Sequence, residues 1–244
     1  MALLDRLYVA YSTGIMYTFH YLWTALWTVV ALPFAVLGLH PVTSLIVRIW
    51  SNGLFWAVFR HVHVEGRDHI DPRRTYLVTM NHTSMYDIPA LMSLFPRVAW
   101  LGRDRMVRIP VFGFVLKRSD YISVFPGDVE RSKESIRRAI EKSPQVSIAI
   151  CPEGTRTLDG RLGPFKKGFT YIVEDTDLDV LPITVNGLFA WRPKYQKVLT
   201  PREKVRLVVH PPLSNAALRA MDRDRMAAHV REVIGSGLGQ GEAR

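Results

Sequence analysis

Between Arg6 and Arg48 the chain contains no Asp, Glu, Lys or Arg, and residues 17–39 (YTFHYLWTALWTVVALPFAVLGL) are almost wholly apolar with a single His. As a helix this stretch extends about 35 Å, enough to match a hydrocarbon core. Its length favours a membrane anchor over a buried core helix. Pro33 is followed by more apolar sequence rather than a small-residue cleavage site, so the segment reads as retained and not as a signal peptide. Trp23 and Trp27 lie about one helical turn apart and follow Tyr17 and Tyr21, rings that favour the boundary between acyl chains and headgroups. A second apolar stretch, residues 42–59, has Arg48 near its middle and is interrupted by Ser51-Asn52-Gly53. It reads as a helix lying in the interface with Arg48 reaching outward. Residues 1–59 are therefore expected to form a two-helix membrane anchor, with crossing of the bilayer and dipping into one leaflet both open.

The remainder is basic. From Arg60 onward there are 30 Lys and Arg against 21 Asp and Glu, so this part carries nearly all of the net +10. Beside a membrane such a balance suits anionic lipid headgroups or phosphorylated substrates, each basic residue near an anionic surface contributing about 1 kcal/mol. Nucleic acid is not expected as a partner, since zinc-finger spacing, an aromatic RNA-binding signature and a basic heptad helix are all missing. Cys151, the only cysteine, excludes an internal disulfide and reads as a small buried hydrophobe.

Short apolar runs at 61–65, 75–80, 98–101, 121–125, 146–150, 180–185 and 205–210 read as strands. Helical segments are expected at 89–94, at 128–142 with Asp128 as cap, and at 215–235, with a basic loop and short helix over 102–118. This alternation predicts an α/β fold: a mixed central sheet flanked by helices over 60–235, followed by a flexible tail at 236–244.

Two segments carry chemistry. His82 can accept a hydroxyl proton while that oxygen attacks a carbonyl, and Asp87, five residues on, can bond the other ring nitrogen. In a regular helix that spacing separates the two side chains by about 140°, so a turn must fold them together. Ile88-Pro89 favours a fresh helix start near Asp87. The plainer alternative makes Asp87 an N-cap and Asn81-His82 turn residues. Downstream, Gly154 permits a tight turn between Glu153 and Arg156, whose planar fork can grip a phosphate. Glu153 is expected to hold Arg156 or another basic group, the alternative being a surface turn with a local ion pair.

In order and spacing these segments resemble the lysophosphatidic acid acyltransferase family of glycerolipid acyltransferases. The matches are Asn81, His82 and Asp87; Arg103 leading into Ile109-Pro110-Val111-Phe112-Gly113; Pro152-Glu153-Gly154-Thr155-Arg156; Phe165-Lys166-Lys167-Gly168; and Val180-Leu181-Pro182-Ile183. The resemblance spans roughly residues 60–212. It implies that His82 is the base and Asp87 its partner, while Arg103, Glu153, Gly154, Thr155, Arg156, Lys166 and Lys167 form the substrate site. It further implies direct attack of a lysophospholipid hydroxyl on an acyl thioester, from acyl-CoA or acyl-carrier protein, with no metal, bound cofactor or covalent acyl-enzyme. The expected product is phosphatidic acid, made at a membrane, on the cytoplasmic face of the inner or plasma membrane. Arg103 stands where a lysine is common, and Pro126 where an arginine is often found. Either Arg105, Arg118 or Arg131 substitutes, or the acceptor is another lysophospholipid or a lyso-aminolipid. A non-catalytic protein that binds anionic lipid is the rival from outside enzymology.

Overall fold

The computed structural model describes residues 3–109, 112–118 and 120–239. Pro110 and Val111 of the resemblance, and the last residues of the expected tail, lie outside them.

The chain opens with one long helix, Leu3–Val36, in which α1 (Leu3–Ala10) and α2 (Met16–Val36) are joined by a π-helical turn at Tyr11–Ile15. Gly38, at φ 69°, turns the chain beyond α2, and α3 (His40–Trp56) runs back beside it. Next come β1 (Val62–Glu65), β2 (Tyr76–Met80), α4 (Asp87–Leu94) and β3 (Ala99–Arg103). They are followed by α5 (Phe112–Arg118), β4 (Ile122–Val124), α6 (Val129–Lys142) and β5 (Ile148–Ile150). The chain closes with α7 (Thr170–Asp175), β6 (Asp179–Asn186), α8 (Leu188–Trp191), β7 (Val205–Val209), α9 (Asn215–Arg219) and α10 (Arg223–Ser236).

The expected mixed α/β sheet is present, with seven strands in the order β1-β7-β6-β2-β5-β3-β4. Strands β2 to β6 run parallel, whereas β7 is antiparallel to β6 and carries β1 beside it in its own direction. Central β2 is buried along its whole length, sending Tyr76, Val78 and Met80 into one apolar cluster and Leu77 into the other. The first cluster includes Phe55 from α3, Leu91 from α4 and Trp191 from α8; the second includes Ile136, Ile172 and Val230 from α6, α7 and α10. From β2 the chain continues to β3 on one side, and from β5, the strand adjacent to β2, it returns to β6 on the other. Such a reversal opens a crevice beyond the carboxyl ends of the strands.

The expected pair of anchor helices needs correction. Among the described residues one helix, Leu3–Val36, is long and apolar enough to cross a membrane, and its apolar stretch is largely uncovered. Helix α3 is shorter, carries Arg48, and packs on α2 and α4 with Ile46, Leu54 and Phe55 buried, while Leu45 and Trp56 stay exposed. It also runs unbroken through Ser51-Asn52-Gly53. The Ser51 hydroxyl bonds back to the Val47 carbonyl at 2.9 Å, and Gly53 leaves room for the Trp23 ring, which a Cβ would meet at 2.5 Å. Trp23 Nε1 donates to the Trp50 carbonyl at 3.0 Å and Trp50 Nε1 to Thr24 Oγ1 at 3.1 Å, locking the hairpin. The closing helix differs too. It breaks at Met221-Asp222, where the Asp222 carboxylate accepts the Arg225 N–H at 2.9 Å and starts α10.

If α3 belongs to the folded core, Phe55→Ala is expected to destabilise the protein by about 3–5 kcal/mol. Denaturant unfolding in detergent followed by near-ultraviolet circular dichroism measures this; a loss below about 1 kcal/mol would leave α3 as an appended anchor.

Candidate active site

His82 and Asp87 leave the carboxyl end of β2, and residues 151–157 leave that of β5. Before His82, Asn81 extends the β2–β6 pairing with its side chain. Its Nδ2 donates to the Val185 carbonyl at 2.9 Å, and its Oδ1 accepts the Val185 N–H at 2.7 Å. The chain then turns, and α4 begins at Asp87 itself with Pro89 in its first turn.

Asp87 is fully buried, and donors converge on both of its oxygens. Oδ2 accepts from His82 Nδ1 at 2.8 Å, from the Thr83 N–H at 2.6 Å and from the Ser84 N–H at 2.8 Å; Oδ1 accepts from the Thr83 hydroxyl at 3.0 Å. Asp87 is thus the histidine's partner and the organiser of the turn before α4, but not the cap of that helix: its donors all precede it, and the cap position, Tyr86, makes no side-chain cap bond. With the hydrogen on Nδ1, the His82 lone pair resides on Nε2. The His82 side chain keeps 23% of its surface exposed, so this atom can meet a substrate.

The second loop grips the first. Glu153 Oε1 accepts the His82 backbone N–H at 2.7 Å, Oε2 accepts the Gly163 N–H at 2.9 Å, and the His82 carbonyl accepts the Thr157 N–H at 2.9 Å. Glu153 therefore does not pair with Arg156 as expected; it braces the backbone under the histidine. Burial pushes its carboxyl above the ordinary value of 4.5, and the two N–H donors oppose that rise. Gly154 has φ 68°, the left-handed geometry expected of the turn. Burial, then the neighbouring Arg192, pulls the Arg156 guanidinium below its usual value. Cys151 packs against the apolar cluster, and burial, reinforced by Asp87 and Glu153, raises its thiol, which suits an unreactive side chain.

The remaining expected residues divide. Lys166 lies against Gly154, where a Cβ would stand 3.1 Å from its Nζ, whereas Lys167 is drawn to α10 by an ion pair with Asp224 at 2.8 Å. Arg103 ends β3 on the same sheet edge, exposed, its carbonyl accepting the Tyr121 hydroxyl at 2.9 Å. Of the arginines considered in place of Pro126, Arg131 stacks over the Phe125 ring at 3.8 Å, Arg105 sits exposed in a 3-10 turn, and the side chain of Arg118 lies outside the described residues.

Sequence reasoning missed three contributors. His20, in α2, accepts from the Tyr86 hydroxyl through Nδ1 at 2.7 Å, because its Nε2 must donate to the Leu54 carbonyl at 3.0 Å. The apolar helix thereby fixes the residue next to Asp87. Burial raises the Tyr86 hydroxyl above its usual value. Arg192 and Lys194, beyond β6, arrive beside the Glu153 loop, and Lys194 Nζ donates to Thr155 Oγ1 at 2.7 Å. Only the lone His20 within an otherwise largely apolar helix could have hinted at any of them.

An imidazole oriented by a buried carboxylate, beside a cationic turn at the mouth of a mixed sheet, defines a class of protein that can deprotonate a hydroxyl next to an anionic group. Residues 61–186 match the Acyltransferase family model, and the chain belongs to that family. It is 28% identical over 69% of its length to a chloroplastic 1-acyl-sn-glycerol-3-phosphate acyltransferase of Brassica napus, and 34% identical over 59% of its length to a 1-acyl-sn-glycerol-3-phosphate acyltransferase of Cocos nucifera. The chain spans about half the length of these relatives, 49% and 48%. The fold is that of the 1-acyl-sn-glycerophosphate acyltransferase PlsC of Thermotoga maritima, with a TM-score of 0.78 at 24% identity, covering 91% of this chain and 93% of the other.

A raised Glu153 holds its proton more tightly in the native protein than in the unfolded chain, so its own contribution to stability falls as pH rises from 4.5. Glu153→Gln removes this titration. The wild-type melting temperature, relative to the variant, is expected to fall as pH increases from 4.5; parallel curves would mean that Glu153 is not raised.

Proposed function

We propose that the protein transfers a fatty acyl group from a thioester, acyl-CoA or acyl-carrier protein, to the free hydroxyl of 1-acyl-glycerol-3-phosphate, giving phosphatidic acid. The observation that carries this reading is the buried Asp87 holding His82 Nδ1, which leaves Nε2 as the basic atom, with the Glu153–Arg156 turn fastened to the same backbone. The relatives named as 1-acyl-sn-glycerol-3-phosphate acyltransferases support the choice of acceptor.

His82 Nε2 takes the hydroxyl proton as that oxygen bonds to the thioester carbon. The tetrahedral intermediate collapses with cleavage of the carbon–sulfur bond, and the imidazolium returns its proton to the departing thiolate. Asp87 keeps the ring in the useful tautomer and stabilises its positive charge in between. Neither a metal nor a covalent acyl-enzyme enters the scheme. Arg156, with Lys166 beside Gly154, holds the acceptor phosphate, and Arg103 lies at the rim of the same edge. The helix Leu3–Val36, with its exposed apolar face, holds the protein at a bilayer, from which both acceptor and acyl chain arrive.

His82→Ala is expected to abolish product while the protein still folds and sediments with membranes; retained phosphatidic acid synthesis, read by mass spectrometry of the lipid product, removes the assigned base. Arg156→Ala is expected to raise the acceptor KM by about 10- to 100-fold, the loss of one charge-assisted contact to phosphate. An unchanged KM would remove it from the phosphate site.

A further inference from the structure

Arg192 is held in place by its own backbone and by its neighbour. Gly187, at φ 85°, turns the chain after β6; a Cβ there would lie 2.1 Å from the Lys204 carbonyl oxygen. Trp191 is fully buried, its Nε1 donating to the Glu203 carbonyl at 2.9 Å. The Arg192 carbonyl accepts the Ser84 hydroxyl at 3.3 Å, two residues from His82. From this mount the side chain meets Met85 through Nη1 and stands with its guanidinium carbon 5.4 Å from the Tyr17 ring centroid. Its Nε lies out of solvent and makes no hydrogen bond of ordinary geometry among the described residues.

The charge around it is unbalanced. Arg156, Lys166, Arg192 and Lys194 gather at the turn, and none of them forms an ion pair among the described residues, although arginines elsewhere do, as Arg74 does with Asp179 and Arg223 with Glu174. The nearby carboxylates are occupied. Asp87 takes the donors of the His82 turn, and Glu153 takes the N–H groups of His82 and Gly163. Arg192 stands close enough to Arg156 to act on it as a like charge. Two partly buried guanidinium groups are thus held near each other against their repulsion. Even with Asp87 attracting Arg156, positive charge outweighs negative at the turn, which favours a multiply charged anion over a singly charged one.

We infer that Arg192 is a second guanidinium for the acceptor's phosphate, set opposite Arg156, and that together they select a terminal phosphomonoester over a phosphodiester headgroup. This rests on the acyl-transfer reading above and fixes the acceptor class within it. A phosphomonoester carries a charge of about −1.5 to −2 at neutral pH and offers three terminal oxygens, enough for two forked donors. A diester carries a single charge and has lost one of those oxygens to its second substituent. Arg192 thus supplies from β6 the cation that Pro126 denies to β4.

The test uses the full chain in mixed micelles with acyl-CoA, and compares 1-acyl-glycerol-3-phosphate with 1-acyl-glycerol-3-phosphoglycerol, a phosphodiester. Arg192→Met keeps an unbranched stem against Met85 and Tyr17, and Arg192→Lys keeps the charge without the fork. For Arg192→Met the monoester KM is expected to rise about 10- to 100-fold with kcat within about threefold, and the preference for monoester over diester to fall in proportion; Arg192→Lys recovers part of each. An unchanged monoester KM in both variants overturns the inference, as does an equal rise for both lipids, which would make Arg192 a wall of the cleft. Should Arg192→Met not fold, Arg192→Lys and Arg192→Gln decide by the same ratio. A wild type that makes no phosphatidic acid overturns the acyl-transfer reading and this inference with it; a wild type that makes it, with variants unchanged, overturns this inference alone.

Discussion

The bond from the His82 backbone N–H to Glu153 Oε1 joins two loops separated by most of a strand–helix–strand circuit, and the site depends on it. Without it, the turn after β2 and the turn after β5 would be neighbours on a sheet edge with independent motions. With it, and with the Thr157 N–H on the His82 carbonyl, both polar groups of the His82 backbone are fixed by the second loop. A carboxylate placed under a backbone amide in a buried setting is costly to lose, because the amide would then be left without an acceptor. The glutamate of this Glu-Gly-Thr-Arg turn is thus the floor under the His82 backbone.

A second brace reaches the same turn from the other side. Tyr86 bonds His20 of the long apolar helix and packs its ring 5.6 Å from that of Trp191, which in turn lies 5.6 Å from Phe55 of α3. Along the π turn, the Leu199 N–H donates to Thr13 Oγ1 at 3.2 Å, tying the helix to the segment beyond Arg192. The apolar helices are therefore structural parts of the site. Anything that shifts α2 moves Tyr86, and Tyr86 immediately precedes the carboxylate that orients His82.

The sequence shows what periodicity and local chemistry encode. Buried parallel strands such as residues 76–80 and 179–186 read as apolar runs, and Asp128 caps its helix through the Arg131 N–H at 3.0 Å as its type suggests. The five-residue spacing of His82 and Asp87 demanded a turn, and a turn is present. What stayed hidden depends on long-range pairing. The partner of Glu153 lies 71 residues away, and an acid three positions before an arginine gives no warning that it will serve an amide instead. The second apolar stretch divides in a way that composition does not show: Leu54 and Phe55 are buried in the fold while Leu45 and Trp56 stay uncovered. Arg192 sits in no recognisable pattern; only the return of β6 beside β2 brings it to the site.

The position of Tyr17 connects these strands of argument. Its ring lies under Arg192 and stacks on Tyr21 at 6.2 Å, and Tyr21 is 65% exposed among the outward apolar residues of α2, including Leu22 and Leu26. The cationic cluster and the uncovered apolar surface are therefore contiguous, about one helical turn apart. On the acyl-transfer reading this adjacency suits an amphiphile: a lysolipid can leave its chain against the helix face while its phosphate enters among Arg156 and Arg192. Transfer of a water-soluble glycerol phosphate would require the cations but no such apolar flank. On that same reading the juxtaposition of charge and uncovered hydrocarbon, more than either feature alone, favours a lipid at this edge.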